Sequence, residues 1–191
     1  MAFERWFCSS AKDWAAIGEE IKQMACPHCR GVGTLIRHGF VYGFDESSPQ
    51  KKPTKRAQRI FCSNRNARPG CGRTFSIWLR DKIRRLSLTA GALWQFLQGA
   101  LAASIVAAGQ AVDSRLTERT WQRIWRRFHH GQSRIRAALF GRCPPPESPP
   151  PPAVKPSRQP AAQLLAHLQA AFPDSDCPIA DFQHTLQTFF V

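Results

Sequence analysis

Four of the seven cysteines are spaced as metal ligands. Cys26 and Cys29 form a Cys-x2-Cys pair, and Cys62 and Cys71 follow after 32 and 8 intervening residues. Two pairs of thiolates suit tetrahedral Zn²⁺, which takes sulfur ligands readily and imposes no geometry of its own. We therefore predict one Zn²⁺ ion bound by these four side chains. The alternative ligand set replaces one cysteine by His28 or His38.

Short runs of β-branched and aromatic residues lie between the two cysteine pairs. The runs are Leu35–Arg37, Phe40–Tyr42 and Arg59–Phe61. Gly31 and Gly33 follow the first pair, where a tight turn needs a residue that can adopt positive φ. These features predict a small zinc ribbon of short antiparallel strands.

Four segments of this region carry a family resemblance: CPHC at 26–29, RHGF at 37–40, RIFC at 59–62 and CGRTFS at 71–76. They resemble the N-terminal zinc ribbon of bacterial insertion-sequence transposases and of their short DNA-binding proteins. The resemblance covers residues 26–78 and extends less specifically over 86–140, where that family carries a helix-turn-helix. The chain departs from the family pattern in an insertion at 63–70 and in a loop at 45–55.

Basic side chains are concentrated on the predicted ribbon. Segment 51–59 carries five basic residues and no acid, and we interpret it as a loop that contacts nucleic-acid phosphates. The alternative is a solvated basic face without a ligand. The predicted contacts of the ribbon are Lys51, Lys52, Lys55, Arg56, Arg59, Arg65, Arg68 and Arg73.

Helical periodicity begins after the ribbon, which makes the predicted fold class α+β. Ser87 or Thr89 is placed to cap a helix that extends to Leu101, and a short helix over 104–110 follows. From Thr117 onward, one face of a third helix is apolar and the opposite face carries arginines. The apolar residues are Trp121, Ile124, Trp125, Phe128, Ile135 and Leu139. The predicted nucleic-acid contacts are Arg119, Arg123, Arg126, Arg127 and Arg134.

This division of faces is typical of a recognition helix in a helix-turn-helix. The alternative is a solvated basic face on an ordinary bundle helix. We interpret His129 and His130, with Gly131 after them, as the end of the first part of this helix.

Charge and composition divide the chain into five segments. Residues 1–25, predicted to form an amphipathic helix over 11–24, have a net charge of −1, whereas the ribbon at 26–85 has +11 and the helical domain at 86–143 has +6. Residues 144–160 contain nine of the fifteen prolines and are predicted to form an extended linker. The tail, 161–191, is predicted to be helical, and its apolar residues require a surface to pack on: the body of this chain, a second copy, or another protein.

Several function classes are disfavoured by the sequence. No apolar stretch reaches the length of a membrane span, and residues 1–25 lack the apolar region of a signal peptide, so we expect a cytoplasmic, nucleoid-associated protein. The few acidic residues of the basic segments are not spaced as the convergent carboxylates of a two-metal site. We therefore expect a protein without catalytic activity.

The net charge of +14 indicates a polyanionic partner. We predict a zinc-dependent, transposase-like protein that binds double-stranded DNA and acts in transposition or in the regulation of a mobile element. A separate catalytic transposase and a second copy of the chain are further candidate partners. The alternatives are an adaptor that recruits an enzyme through its tail and an RNA-binding zinc ribbon protein.

Overall fold

The computed structural model describes residues 4–46, 53–147 and 154–191. Within them the chain forms six α-helices and a four-stranded mixed sheet, which confirms the α+β class. The strands are β1 (Phe7–Cys8), β2 (Leu35–Gly43), β3 (Thr54–Cys62) and β4 (Thr74–Leu79). The helices are α1 (Asp13–Glu20), α2 (Ala90–Ala102), α3 (Ile105–Ala111), α4 (Glu118–Phe140), α5 (Gln159–Ala171) and α6 (Pro178–Leu186).

The sheet has the strand order β1-β4-β3-β2. Strands β2, β3 and β4 pair antiparallel, and β1 runs parallel to β4. The interpretation of segment 51–59 as a loop is wrong from Thr54 onward, because β3 is an inner strand whose backbone pairs with neighbours on both sides. Lys51 and Lys52 lie outside the described residues. The charge of this segment is therefore carried mainly by a strand.

Helix α1 covers one side of the core that the sheet forms. It spans Asp13–Glu20 and is shorter than the helix predicted over 11–24. Trp14 and Ile17 on the helix and Ile21 and Met24 beyond it are nevertheless buried in the same core. The helix ends early because the chain turns into a bridge between Ala25 and Val32, which begins the first cysteine pair.

Two short polar side chains start the helical domain. Thr89 Oγ1 accepts the backbone N–H of Ala92 at 3.2 Å and caps α2. Ser104 Oγ accepts the N–H of Ala107 at 3.0 Å and caps α3. Each cap satisfies a backbone donor that has no partner within its helix. The predicted starts of both helices are confirmed.

Helix α4 runs for 23 residues without a break. The interpretation of His129, His130 and Gly131 as a helix end is wrong, because all three lie inside the helix. The apolar stripe keeps its phase across Gly131, and its burial outweighs the roughly 1 kcal/mol that a helical glycine costs relative to alanine. The six residues predicted for this stripe are all buried: Trp121, Ile124, Trp125, Phe128, Ile135 and Leu139.

The C-terminal tail packs on the body of its own chain. Leu164, Leu168, Phe182 and Phe190 are buried in the same core as the apolar faces of α2 and α4. The Phe190 ring stacks on the Phe128 ring of α4 with 5.9 Å between the centroids. The sequence left three packing surfaces open for the tail. The structure shows that the tail packs on the body of its own chain.

The tail also contacts β1 and the end of β4. The Gln187 side-chain oxygen accepts the backbone N–H groups of Trp6 and Phe7 at 2.7 and 2.9 Å. The Gln183 side-chain amide donates to the carbonyl of Arg80 at 2.8 Å, and Arg80 forms an ion pair with Asp181. Helix α6 and the residues after it therefore join the N-terminal strand to the helical core.

The last part of the proline-rich segment is helical instead of extended. Pro156–Arg158 forms a 3₁₀ turn, and α5 begins directly after it. Proline is compatible with the first turn of a helix, where its missing N–H has no partner in any case. Residues 148–153 lie outside the described part of the chain.

None of the helices among residues 4–46, 53–147 and 154–191 is both long and apolar enough to cross a membrane.

Candidate metal centre and nucleic-acid interface

The four predicted cysteine ligands lie together. Their Sγ atoms are all within 4.8 Å of one another. The Sγ atoms of Cys26 and Cys71 are 3.8 Å apart, and those of Cys29 and Cys62 are 3.7 Å apart. Four sulfurs bound at about 2.3 Å around a tetrahedral ion have an edge of about 3.8 Å. The cluster could therefore hold a metal ion, and neither His28 nor His38 belongs to it.

A tight turn positions the first cysteine pair. The N–H of Cys26 donates to the Gly31 carbonyl at 2.9 Å, and the N–H of Arg30 donates to the Cys26 carbonyl at 2.8 Å. Gly33 adopts φ +77°, as predicted. Gly31 is not among the residues with positive φ, and the second left-handed residue of this turn is Arg30, at φ +63°.

The insertion at 63–70 closes on itself and brings the second pair together. The N–H of Gly70 donates to the Ser63 carbonyl at 3.1 Å, and the N–H of Gly72 donates to the Cys62 carbonyl at 2.9 Å. A Cβ atom on Gly70 would lie 2.1 Å from the Ser63 oxygen, so this approach requires glycine. The long spacing between Cys62 and Cys71 is therefore compatible with a compact cluster.

Hydrogen bonds around the cluster favour the ionised form of one cysteine. Cys62 Sγ lies 3.2 Å from Thr34 Oγ1 and accepts the N–H of Cys71 at 3.3 Å. Burial acts to raise the pKa of Cys62, but these bonds and the neighbouring thiols outweigh it and lower the pKa to about 7. Burial raises the pKa of Cys26 to about 12. The cluster thus provides one sulfur that ionises near neutral pH, and thiolate is the form that binds metal.

Most of the predicted phosphate contacts are exposed and unneutralised. Eleven of the thirteen lie in the described residues, and nine of these eleven are exposed. None of the nine forms an ion pair with a carboxylate in the described part of the chain. The nine are Lys55, Arg59, Arg65, Arg68, Arg73, Arg119, Arg123, Arg126 and Arg134.

Arg56 is not available to a phosphate, so its prediction as a contact is wrong. The residue is 4% exposed, and its guanidinium donates to the carbonyls of Ile83 and Leu88 at 3.1 and 3.2 Å. It also lies 3.4 Å from a carboxylate oxygen of Asp45. Successive side chains of a strand point to opposite faces of the sheet, so Arg56 is buried whereas Arg59 is exposed. Arg56 therefore joins β3 to the segment that precedes α2.

Lys82 completes this buried ionic cluster. Its Nζ lies 2.8 Å from Asp45 and 3.0 Å from Asp81. Burial acts to lower the pKa of Lys82, but the bonds to the two carboxylates outweigh it and raise the pKa. Glu46, next to Asp45, accepts the backbone N–H of Thr89 at 2.7 Å. All three acids of segment 26–85 are therefore used in internal contacts.

Two of the α4 arginines converge with two arginines that precede α2. Arg127 and Arg134 line a cavity of about 400 Å³ together with Arg84 and Arg85. We call this cavity the arginine pocket. His130 and Phe189 also line it, and Arg134 donates to the Phe189 carbonyl at 3.0 Å.

Sequence reasoning missed the part of this pocket that lies before α2. Arg84 and Arg85 contributed to the charge of +11 but received no role. The available signal was the pair of adjacent arginines directly before a capped helix. Periodicity could not reveal that this pair meets α4, because the contact is long-range.

No protein-family model, curated protein or solved structure gives a significant match to the chain. The resemblance to transposase zinc ribbons therefore stays a prediction from the motifs.

Proposed function

We propose that the chain is a non-catalytic, zinc-dependent protein that binds double-stranded DNA, in transposition or in the regulation of a mobile element. The observation that carries this proposal is the set of nine exposed cations without a carboxylate partner in the described residues. A basic side chain that is not neutralised internally is free to replace the counterions of a nucleic-acid backbone. In this proposal α4 is the recognition helix of a helix-turn-helix.

Zinc is the metal that the donor set favours. Four thiolates in a closed site are typical of structural Zn²⁺, which holds small ribbons together and leaves no open position for a substrate. The ligands would be Cys26, Cys29, Cys62 and Cys71. Bound zinc would stabilise the turns that carry the two pairs and hence the orientation of β3, on which Lys55 and Arg59 lie.

The metal is tested by metal analysis of the purified full chain. We expect about one zinc ion per chain, its loss in Cys26→Ser, and unfolding of the ribbon by a chelator. The matched control is Cys143→Ser, which changes a cysteine outside the cluster. Full zinc content in Cys26→Ser, or equal loss in the control, would contradict the ligand set.

DNA binding is tested by the salt dependence of duplex affinity between about 50 and 200 mM salt. Each phosphate contact adds about 0.9 to the slope of log K against log salt. Replacing Arg119, Arg123 and Arg126 by Gln should therefore lower the slope by about 2.7. The matched control replaces three exposed lysines outside the predicted contacts by Gln and removes the same charge. These lysines are Lys12, Lys22 and Lys155.

An unchanged slope in the control and a reduced slope in the arginine variant support a localised interface. Equal losses in both variants would show that the net charge alone drives association. Duplex RNA that binds as tightly as duplex DNA would favour the RNA-binding alternative. The adaptor alternative recruits a separate enzyme through the tail, and the apolar residues of α5 and α6 are buried in the core of this chain.

A further inference from the structure

Two cavities share a wall formed by Arg84 and Phe189. One is the arginine pocket, of about 400 Å³. The other, which we call the aromatic cleft, has about 340 Å³ and is lined by Trp6, Phe75 and Trp78 and by the polar residues His28, Thr74 and Ser76. Both volumes are within the range of small-molecule sites. A cavity lined mainly by arginines and a cavity lined in part by aromatic residues therefore adjoin, with Phe189 between them.

The arginine pocket has an uncompensated positive charge. Among residues 4–46, 53–147 and 154–191, no carboxylate forms an ion pair with Arg84, Arg85, Arg127 or Arg134. Burial lowers the pKa of Arg127, and repulsion from Arg85, Arg134 and Arg84 lowers it further. The internal cations Arg56 and Lys82, by contrast, each contact Asp45. An anion in the pocket would relieve this repulsion.

Phosphate is the anion that this pocket suits best. All four cations are arginines, whose planar guanidinium groups bind phosphate oxygens through two parallel hydrogen bonds. Arg85 adopts φ +62°, a left-handed conformation that is uncommon for a residue with a long side chain. Left-handed backbone conformations of residues other than glycine concentrate at functional sites.

The aromatic cleft provides aromatic side chains next to the arginine pocket. Trp6, Trp78 and Phe189 are each half-buried, and Phe75 is buried. The rings of Trp6 and Phe189 are 6.1 Å apart at an interplanar angle of 62°. Rings next to a basic groove are the usual elements of proteins that bind single strands, because each base offers a face to stack on.

We propose that the two cavities form one groove for single-stranded nucleic acid, in which the arginine pocket binds a backbone phosphate and the aromatic cleft binds the adjacent unpaired base. This goes beyond the duplex binding proposed above, because a paired base is stacked between its neighbours and cannot enter a cleft between side-chain rings. Arg84 and Arg85, which belong to this groove, are not among the proposed duplex contacts.

The experiment uses the full zinc-loaded chain and a short fluorescent oligothymidylate, with fluorescence anisotropy as the measurement. An abasic oligonucleotide with the same phosphates is the matched probe. We expect the oligothymidylate to bind at least about fivefold more tightly than the abasic strand, since stacking of one base contributes that much. We also expect quenching of tryptophan fluorescence by the oligothymidylate alone.

Arg85→Gly tests the pocket without threatening the fold, because glycine adopts positive φ readily. It should weaken oligothymidylate binding at least about tenfold. Arg84→Gln should act in the same direction. The matched control, Arg115→Gly, removes the same charge from an exposed loop residue outside both cavities and should change the affinity much less.

Equal affinity for the abasic strand, or an unchanged affinity in Arg85→Gly, would overturn the proposal. An oligoglutamate peptide that binds as tightly and competes for the pocket would also overturn it, in favour of an acidic protein ligand. Duplex DNA is measured in parallel with each variant. Duplex binding that persists in Arg85→Gly would show that the duplex interface is intact. A failure of the groove can then be distinguished from a failure of the duplex interface.

Discussion

Arg56 and Arg59 lie three residues apart on β3 but are predicted to have opposite roles. We expect Arg56→Met to destabilise the fold and Arg59→Met to weaken DNA binding. The methionine keeps most of the apolar length of the arginine stem, so each change removes mainly the guanidinium. Because both variants lose one positive charge from the same strand, each is the matched control of the other.

The magnitude for Arg56 follows from its partners. Without the guanidinium, Asp45 loses its ion pair with Arg56 and keeps its contacts with Lys82 and Thr54, and the carbonyls of Ile83 and Leu88 lose a donor. Breaking a buried ion pair by removing one partner costs about 3–5 kcal/mol. In a chain of this length, each kcal/mol shifts the melting temperature by about 2–4 °C. Arg56→Met should therefore melt about 6–20 °C below the wild type.

Arg59 is exposed and forms no ion pair in the described residues, so Arg59→Met should change stability by less than about 0.5 kcal/mol. Its loss as a phosphate contact should lower the salt slope of duplex binding by about 0.9.

The assays are urea unfolding followed by tryptophan fluorescence and duplex binding followed by anisotropy, both with zinc present. An Arg56→Met variant that remains as stable as the wild type while its duplex affinity falls would refute the internal role of Arg56. That result would place Arg56 on the DNA-binding surface. Equal destabilisation by the two variants would equally contradict the assignment of roles, since only Arg56 is buried.

Three further predictions concern the second cysteine pair, the tail and pH. Gly70→Ala should weaken zinc binding in a competition titration with a chelator, because its Cβ would collide with the Ser63 carbonyl, whereas Gly91→Ala, whose Cβ would meet no atom within 4 Å, should bind zinc normally. Phe182→Ala should lower the free energy of unfolding by about 3–5 kcal/mol in urea titrations, because the ring is fully buried; a loss below 1 kcal/mol would contradict docking of the tail. Burial and, to a smaller extent, repulsion from Arg80 lower the pKa of His184 below its ordinary 6.5. The unfolded chain therefore binds a proton at this histidine more readily than the folded chain does, and the free energy of unfolding should fall as the pH drops through 6.5. His184→Gln should flatten that dependence in urea titrations at a series of pH values, and an unchanged dependence would exclude this histidine as its cause.

The cysteine cluster could be predicted from sequence because a metal site depends on residue type and short spacing. The stripe of α4 could be predicted because helical periodicity places Trp121, Phe128 and Leu139 on one face. The extent of α4 was predicted incorrectly, because glycine is a weak local signal and long-range burial outweighs it. The second cysteine pair shows the limit of spacing rules, since closure of its insertion depends on a contact between Ser63 and Gly70.

The sequence by itself determined the α+β class, the four cysteines of the candidate metal centre, the helix caps and the apolar face of α4. These features depend on residue chemistry and on periodicities of a few residues. The tertiary structure alone decided that Arg56 is internal, that the tail completes the helical core, and that Arg84 and Arg85 meet Arg127 and Arg134. The physical reason is that burial, ion pairing and cavity formation arise between segments far apart in the chain, where no local pattern specifies which side chains will meet.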